Sequence, residues 1–464
     1  MGIEFLGWGG YMERVHAVVL AAGKGKRMKS DLPKVLHRVS GQALVTFVLD
    51  TLRAAGVEDP VIVVGHGAEG VRAIGGPRAR YVDQVEQRGT GHAVMQALPL
   101  LTERSDPVLV LYGDTPLLTP HTIRALIEQH RRTAAAVTML TAKLSDPAGY
   151  GRVIRDGGGR VQRIVEDADA SAEEKQVREI NAGTYVFEPA ALREALKGLA
   201  PHNAQGEYYL TDTVSWLLSQ GRAVSALVGS PEETMGVNSR RELAQVEAVM
   251  RRRILERLMD EGVTIIDPLT TYVHAGVVVG RDSVIHPQSH LEGSTRIGSG
   301  CVIGPQARLV DSTLLDEVTV VASTVEGSTI GEGTRVGPYS HLRPGTQVGR
   351  FVEIGNFAEM KNTTVGDYTK VHHKSYLGDA TIGERVNIGA GTVTCNYDGK
   401  GKYPTVIEDG AFIGSDTMLI APVRIGKGAV TGAGSVVNKD VPPGALAVGV
   451  PARVIKYVTA NTER

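Results

Sequence analysis

Short apolar runs alternate with helical patterns through the first half of the chain. The apolar runs are VHAVVLAAG (15–23), PVIVVGHG (60–67) and PVLVLYGD (107–114). Helical spacing is found at 41–55, 90–101 and 119–132. This alternation predicts an α/β domain with a Rossmann-like, mostly parallel sheet. Because ligands of such sheets bind at the carboxyl ends of the strands, the residues that follow each run are the first candidates for a site.

A period of six residues replaces this alternation in the second half. The longest series are Val279, Ile285, Leu291, Ile297, Ile303, Leu309 and Ile330, Val336, Leu342, Val348, Ile354. Shorter series resume at Val365, Ile382 and Ile407, each about one residue out of phase. A period of six matches neither a helix nor ordinary hairpins, but it is typical of hexapeptide repeats that stack into a parallel β-helix. About ten coils at ~4.8 Å per stacked strand predict a prism roughly 50 Å long.

A charged helix is predicted between the two patterns. Apolar residues at 243, 246, 250, 254, 255 and 258 have helical spacing, and Gly262 ends the run. The predicted domains are therefore 13–238 and 263–456, joined by a linker helix at 239–262. Residues 1–12 are expected to be a disordered extension, and 457–464 a C-terminal tail.

Composition narrows the possible partners. The 464 residues carry 50 Lys and Arg against 51 Asp and Glu, so no overall basic field attracts nucleic acid. Two cysteines, Cys301 and Cys395, indicate a reducing compartment and offer neither a disulfide framework nor a zinc cluster. No apolar run reaches the ~18 residues of a membrane helix, and no signal peptide is evident. We expect a cytoplasmic protein without membrane insertion, whose partners are small molecules.

The loop after the first apolar run has the chemistry of a polyphosphate site. In LAAGKGKRM (20–28), two glycines allow close backbone approach, and Lys24, Lys26 and Arg27 add positive charge. A dinucleotide-binding turn is the alternative. It requires a small residue where Met28 stands and an acid near the end of the next strand, which instead reads VVGHG. Lys34, in SDLPKVLH, could reach the same phosphates or remain a solvated surface lysine.

A candidate magnesium ligand follows the third run. Asp114 comes directly after Tyr112 and Gly113, at the carboxyl edge of the predicted strand. A single carboxylate there suits Mg²⁺, which takes one or two protein oxygens besides water and phosphate. A turn or capping aspartate is the alternative.

Taken together, these motifs resemble a known family. In order and spacing, LAAGKGKRM, SDLPKVLH, QRGTGHA, LYGD, GYGR, EIN-G and GVN resemble the pyrophosphorylase domain of sugar nucleotidyltransferases. Over residues 13–456 the chain is similar to the bifunctional N-acetylglucosamine-1-phosphate uridyltransferase and glucosamine-1-phosphate acetyltransferase family. The resemblance implies an α/β nucleotidyltransferase domain followed by a left-handed parallel β-helix.

The resemblance also assigns roles in the first domain. It implies that the nucleotide is contacted by Leu20, Ala21, Ala22, Gly23, Lys34, Gln84, Gly89 and Thr90. It implies that the sugar nucleotide is bordered by Tyr112, Gly113, Gly151, Glu166 and Asn181. Asp114 and Asn238 are the implied Mg²⁺ ligands, and Arg27 and Lys34 the implied catalytic cations.

In the second domain, the stretch HHKSYLGDA (372–380) matches the family pattern H-x-x-Y-L-G-D-A. An imidazole is suited to accept a proton from an attacking amine, although adjacent histidines are usually surface residues. The match places the general base at His373, with Tyr376 beside it. It also implies sugar-phosphate contacts from Arg343, Lys361, Asn387 and Lys402, and acetyl-CoA neighbours at Ala390, Asn396, Tyr397, Ser415 and Ala433. Homologues commonly have an arginine near Val450, so this chain departs from the pattern there.

The implied enzyme makes UDP-N-acetylglucosamine, a precursor of bacterial envelope polymers such as peptidoglycan and lipopolysaccharide. It acetylates glucosamine-1-phosphate with acetyl-CoA, then transfers a uridylyl group from UTP with Mg²⁺. The resemblance further implies a homotrimer formed through the β-helix. One alternative is a monofunctional nucleotidyltransferase whose β-helix only oligomerises, and another is a non-catalytic subunit with the same folds. A covalent route through Cys395 is disfavoured because no activating group accompanies it in sequence.

Overall fold

The computed structural model describes residues 14–101 and 106–457. The extension predicted at 1–12 lies outside the described residues, as does the predicted tail apart from Tyr457. In the first half, the strands are β1 (His16–Ala21), β2 (Arg38–Val39), β3 (Gln42–Ala43), β4 (Val61–Val64), β5 (Arg80–Asp83), β6 (Val108–Tyr112), β7 (Val137–Lys143), β8 (Arg152–Arg155), β9 (Val161–Val165), β10 (Glu179–Phe187) and β11 (Val224–Val228).

Helices connect these strands. The α-helices are α1 (Leu44–Ala54), α2 (Ala68–Gly75), α3 (Thr90–Ala97), α4 (Pro120–Thr133), α5 (Pro189–Lys197), α6 (Asp212–Ser219) and α7 (Arg240–Asp260). Short 3-10 helices cover Lys26–Met28, Lys34–Leu36, Gly76–Arg78, Leu98–Leu100 and Glu174–Gln176. Each of the three apolar runs contains a strand, and each of the three helical patterns contains an α-helix.

The main sheet has the order β11-β7-β10-β6-β1-β4-β5. Its strands pair in parallel except β10, which is antiparallel to both β6 and β7, and the β8-β9 ribbon branches from β10. Alternate residues of β1 enter two separate cores. Val18 packs in a core with residues of α3, α5 and α6, whereas Val19 packs in one with residues of α1, α2 and α4. The sheet is thus covered on both sides, as a parallel sheet requires, and the predicted α/β fold is confirmed.

A helix occupies the predicted linker. Helix α7 runs from Arg240 to Asp260, and the chain then turns at Gly262, whose φ of +95° is a conformation that glycine adopts easily. The chain divides into two compact units between Met250 and Arg251, inside α7. Among the described residues, no helix is long and apolar enough to cross a membrane.

The second unit is a β-helix with three faces. Face 1 contains Thr264–Ile265, Val284–Ile285, Val302–Ile303, Thr319–Val320, Arg335–Val336, Glu353–Asn356, Lys370–His373, Asn387–Ile388, Phe412–Ile413, Val430–Thr431, Ala445–Gly449 and Ala452–Tyr457. Face 2 contains Tyr272–Val273, His290–Glu292, Arg308–Val310, Thr324–Glu326, His341–Leu342, Glu359–Lys361, Tyr376–Gly378, Val393–Cys395, Met418–Ile420 and Val436–Val437. Face 3 contains Val278–Val279, Arg296–Ile297, Thr313–Leu314, Thr329–Ile330, Gln347–Val348, Thr364–Val365, Ala380–Ile382, Thr405–Ile407 and Val423–Ile425.

All neighbouring strands within a face are parallel, except the final pair on face 1, which closes the stack as an antiparallel hairpin. The six-residue series is the interior of this β-helix, and its aliphatic side chains are buried. The series shifts phase where a corner is one residue shorter: Leu309 is followed by the buried Leu314, five residues on. The predicted parallel β-helix is therefore confirmed.

Candidate active sites

The loop after β1 packs against Lys34. Gly25 has a φ of +59°, and a Cβ atom added there would lie 2.8 Å from the Cβ of Lys34. A larger residue would meet both backbone strain and a collision. Lys34 itself opens a 3-10 helix after Pro33. The close packing keeps the glycine loop and the stem of this lysine together at the end of β1.

Three segments that are distant in sequence meet at the Lys34 ammonium group. Its Nζ atom donates to Asn238 Oδ1 at 2.9 Å and forms an ion pair with the carboxylate of Asp114. Asp114 follows β6, whereas Asn238 precedes α7, and the Val237 amide donates to the Asp114 carbonyl at 3.0 Å. The structure thus brings together the two residues predicted to bind metal and a predicted catalytic cation.

Gln84 and Gly89 form another part of the wall of the cavity that Lys34 lines. The side chain of Gln84 is buried, and its Nε2 atom donates to the Gly89 carbonyl at 3.0 Å. Gly89 has a φ of +104°, and an added Cβ would lie 2.6 Å from the Tyr208 carbonyl oxygen. The Gln87 side chain donates to the Ala22 carbonyl at 2.7 Å, which ties this wall to the glycine loop.

The predicted sugar-nucleotide residues surround Tyr112. Burial, together with the nearby Glu166 carboxylate, raises the pKa of Tyr112, so its hydroxyl stays protonated and can donate. Burial likewise raises the pKa of Glu166, whose Oε1 accepts from the Thr211 hydroxyl at 2.9 Å. Asn181 donates to the Tyr185 hydroxyl at 2.6 Å. This arrangement offers hydroxyl, amide and carboxyl groups that can form hydrogen bonds with the hydroxyl groups of a sugar.

Two adjoining cavities collect these residues. One, of about 660 Å³, is lined by Leu20 to Lys26 together with Gln84, Gly89 and Thr90; the other, of about 560 Å³, is lined by Arg27, Gly151, Glu166, Asn181 and Asn238. Lys34, Tyr112 and Asp114 line both. Of the predicted residues in this domain, Gly113 lines neither; its amide donates to the Leu20 carbonyl at 3.0 Å, so its place is between the strand ends.

Sequence reasoning missed several cavity residues. Gln205, Glu207 and Tyr209 line the cavities, and Gly183 lies against the Tyr112 ring. The polar segment NAQGEYYLTD (203–212) was the available signal, because it mixes side chains that can bind hydroxyl groups. It did not indicate which residues face the site.

The donors at Asp114 and Asn238 fit a magnesium ion. A carboxylate and an amide oxygen, both near the cavities, match the one or two protein oxygens that Mg²⁺ usually takes beside phosphate and water. Among the described residues, no cluster of three or more His, Cys, Asp or Glu side chains forms a dedicated metal cage. The donor set is therefore suited to a metal that arrives with a phosphate.

In the β-helix, the two adjacent histidines have different partners. His373 Nδ1 lies 2.9 Å from Asn356 Oδ1, and His372 Nε2 lies 2.8 Å from the carboxylate of Glu353. Since an amide oxygen only accepts hydrogen bonds, Nδ1 of His373 carries a proton in this contact, and in the neutral ring Nε2 then has the free lone pair. The ring nitrogen of His373 that can accept a proton is therefore Nε2, the one that does not contact Asn356.

His373 ends its strand at the corner between faces 1 and 2, which we call corner 1–2. The predicted acetyl-CoA neighbours Ala390, Ser415 and Ala433 lie at the same corner on successive coils. The backbones of successive coils are close together at this corner, because a Cβ added to Gly389 would lie 2.5 Å from the Ser415 amide nitrogen. The corner thus presents small residues and backbone beside His373.

The predicted phosphate-binding cations gather at the next corner, between faces 2 and 3, which we call corner 2–3. The nearby charges of Lys402 and Arg343 lower the pKa of Lys361, so the three side chains are close. Asp379 lies among them and accepts from Asn362 at 2.7 Å and from Asn396 at 2.6 Å, contacts that lower its pKa. Such a cluster suits a dianionic phosphate.

The other predicted residues are spread between the corners. Tyr376 lies on face 2, and an added Cβ at Gly378 would lie 2.5 Å from its hydroxyl oxygen, so its ring extends toward corner 2–3. Asn387 lies on face 1, between Lys370 and Phe412. One chain therefore divides its predicted acetyltransferase residues between face 1, corner 1–2, face 2 and corner 2–3. The predicted acetyl-CoA neighbours Asn396 and Tyr397 also lie at corner 2–3.

The six-residue pattern is interrupted between a strand of face 2 and the next strand of face 3. Val393–Cys395 continues face 2, and the protruding loop covers about 396–404, where Tyr397 pairs with Lys402. Tyr397 is 61% exposed on this loop. Burial raises the pKa of the Cys395 thiol, which opposes formation of a nucleophilic thiolate. Val450, where the sequence departs from the expected family pattern, is 73% exposed.

Comparison with known families agrees with the two-domain architecture. Residues 17–213 match the MobA-like NTP transferase domain, and residues 404–439 match the bacterial transferase hexapeptide repeats. Residues 271–354 match the GMPPB C-terminal domain. The fold and these matches define a nucleotidyltransferase joined to a hexapeptide-repeat transferase.

Curated relatives extend over nearly the whole chain. The bifunctional protein GlmU of Heliobacterium modesticaldum is 53% identical over 94% of this chain and 96% of its own. Those of an Exiguobacterium species (51%, 94% and 97%) and Halalkalibacterium halodurans (49%, 97% and 99%) are similarly close. The chain belongs to the bifunctional GlmU family, so the family predicted from sequence is confirmed and the protein is a bifunctional transferase.

Proposed function

We propose that this enzyme makes UDP-N-acetylglucosamine in two steps on one chain. The β-helix transfers an acetyl group from acetyl-CoA to glucosamine-1-phosphate. The α/β domain then joins the resulting N-acetylglucosamine-1-phosphate to UTP and releases pyrophosphate. The observation that carries the proposal is the meeting of Lys34, Asp114 and Asn238 where the two cavities adjoin.

Uridylyl transfer needs positioning more than proton transfer. A sugar phosphate is already anionic at neutral pH, so its oxygen can attack the α-phosphorus of UTP without a general base. In this proposal Arg27 and Lys34 neutralise charge on the phosphates, and Asp114 and Asn238 would hold Mg²⁺. The metal supplies further neutralisation of the phosphate charge. Gln84 and Gly89 bind the nucleotide, and Glu166 and Asn181 orient the sugar.

Acetyl transfer, by contrast, needs a base. The amine nitrogen attacks the thioester carbonyl, Nε2 of His373 accepts a proton from that nitrogen, and the C–S bond breaks to release CoA. Asn356 holds the imidazole in the required tautomer. The cations at corner 2–3 bind the sugar phosphate, and the small residues at corner 1–2 border acetyl-CoA. Because one chain divides these groups between its corners, we propose a homotrimer in which neighbouring subunits complete each site.

An omission experiment tests this function. Purified protein is given glucosamine-1-phosphate, acetyl-CoA, UTP and Mg²⁺, and each component is left out in turn. We expect free CoA without UTP, and pyrophosphate from glucosamine-1-phosphate only when acetyl-CoA is present. His373→Ala should abolish CoA release yet leave pyrophosphate release from N-acetylglucosamine-1-phosphate intact, and Asp114→Ala should do the reverse. Absence of acetyl transfer in the parent protein would instead favour a β-helix that only oligomerises.

A further inference from the structure

Lys34 occupies the oxygen donors that a divalent metal needs. Its ammonium group contacts both the Asp114 carboxylate and the Asn238 amide oxygen. We propose that Lys34 is an internal cation that competes with the metal for these two oxygens, so that tight metal binding requires the nucleotide phosphates to draw Lys34 away. This inference rests on the proposed uridylyl transfer.

The electrostatics of the pair support competition. The side chains of Lys34 and Asp114 are only 17% and 11% exposed, so water screens their charges weakly. A second cation in contact with the same carboxylate would be repelled by the ammonium group. The affinity of the site for the metal is therefore lower while the Lys34 ammonium group stays beside Asp114.

The Lys34 ammonium group also has an alternative position, beside the proposed phosphate site. It lines both cavities, and its stem lies against the glycine loop that is proposed to receive the phosphates. A lysine has a flexible four-carbon stem and a compact charge, so rotation about its side-chain bonds can transfer the ammonium group from Asp114 to a phosphate. Asp114 and Asn238 then become available together.

The consequence is positive coupling between nucleotide and metal. UTP should increase the affinity for the metal, and by linkage the metal should increase the affinity for UTP by the same factor. Besides the direct attraction between a divalent cation and phosphate, Lys34 would add a contribution to this coupling that disappears when its charge is removed. That contribution can be measured without turnover.

The test is a titration of the full-length protein with Mn²⁺, in which free Mn²⁺ is measured by electron paramagnetic resonance without nucleotide. We expect Lys34→Met to bind Mn²⁺ about tenfold or more tightly than the parent protein. Lys24→Met is the matched control. It removes an equal charge from the same site, but Lys24 is not the ion-pair partner of Asp114. It should change the affinity much less. Repeating the titration with UTP should raise Mn²⁺ affinity more in the parent than in Lys34→Met.

Two further measurements keep the outcome decisive. Lys34→Arg retains a cation and should bind Mn²⁺ as weakly as the parent, and thermal unfolding should show a larger Mg²⁺-induced rise in Tm for Lys34→Met than for Lys34→Arg. Equal Mn²⁺ affinity in Lys34→Met and the parent, or an equal gain in Lys24→Met, would overturn the proposal. Failure of the parent to release pyrophosphate from UTP would instead refute the proposed function, because the nucleotide-free titration does not depend on turnover.

Discussion

The Nδ1 atom of His373 lies 2.9 Å from the Oδ1 atom of Asn356, its partner on the preceding coil of face 1. This contact selects the tautomer that leaves Nε2 free to accept a proton. Asn356→Ala should therefore lower acetyl transfer by roughly 10-fold to 100-fold, the effect usually seen when a group that orients a metal-bound imidazole is lost. Uridylyl transfer by the same preparation should be unchanged. The measurement is kcat for each half-reaction.

Glu353→Gln is the matched control for Asn356→Ala. Glu353 lies on the same strand of face 1 as Asn356 and contacts His372 at 2.8 Å, although its register partner is Lys370, so this substitution alters the side-chain contact of the other histidine. Acetyl transfer should stay close to that of the parent. A loss as large as that of Asn356→Ala would show that His372 contributes to the reaction.

Gly183 allows the Tyr112 ring to lie over the backbone of β10. Its φ is +72°, and an added Cβ would lie 2.1 Å from the Tyr112 ring. Gly183→Ala should lower the free energy of unfolding by about 2–4 kcal/mol, through left-handed strain and overpacking together. Denaturant unfolding gives the value, and uridylyl transfer should fall because Tyr112 must move.

Gly159→Ala separates the two causes. Gly159 has a similar φ of +80°, but an added Cβ would have no neighbour within 4 Å. The control should therefore show only the strain, about 1–2 kcal/mol. If both variants lose the same stability, the contact with Tyr112 has no energetic effect.

Much of this architecture was predictable because local sequence and packing agree. The run 15–23 predicts a buried strand, and this strand lies in a sheet that helices cover on both sides. The six-residue series from Val279 corresponds to the buried interior of the β-helix. Lys34, Asp114 and Asn238 were predicted through family motifs. Periodicity alone identifies none of them as a partner of the others, since they lie on separate segments that meet through the pairing of β1 with β6 and the backbone contact between Val237 and Asp114.

Other features depend on contacts that no single motif encodes. Asn356 was not predicted, because its role arises from the register between two coils 17 residues apart. The extent of the loop near Tyr397 depends on strand pairing in the same way, because Val393–Cys395 continues face 2 although the six-residue spacing is lost around it. In both cases the deciding information is the pairing of strands from different coils.

Glu166 should limit the stability of the first domain at neutral pH. Burial raises its pKa, so its ionised form is less favourable in the folded state than in the unfolded chain. The destabilisation is absent well below the ordinary carboxyl pKa, where both states are protonated, and grows as pH rises through the folded pKa. Glu166→Gln should accordingly raise Tm at pH 7 to 8, with the difference disappearing in acid. A Tm difference that is constant with pH would exclude this cause.

Lys361 should report the charges that surround it. The Lys402 and Arg343 side chains lower its pKa, so Lys402→Met should raise the pKa of Lys361 toward its ordinary value. Nuclear magnetic resonance titration of labelled lysine side chains measures it. Lys400→Met, on the same loop, is the control and should have a smaller effect. Glucosamine-1-phosphate should also raise the pKa of Lys361 in the parent protein, because a dianion favours the charged ammonium group.

The division of the acetyltransferase residues between two corners predicts complementation between inactive chains. His373 lies at corner 1–2, whereas Lys402 lies with Lys361 near corner 2–3. If neighbouring subunits of a ring each contribute one corner to a shared site, a trimer of mixed His373→Ala and Lys402→Met chains contains some sites in which both groups are intact. Random mixing of equal amounts should restore about a quarter of the parent acetyl transfer, because each of the two contributing subunits has an even chance of carrying the intact group.

The chains are unfolded and refolded together, with each variant refolded alone as the control. Activity no higher than the mean of the two controls would mean that both groups act from the same subunit, since no exchange of partners could then reunite them.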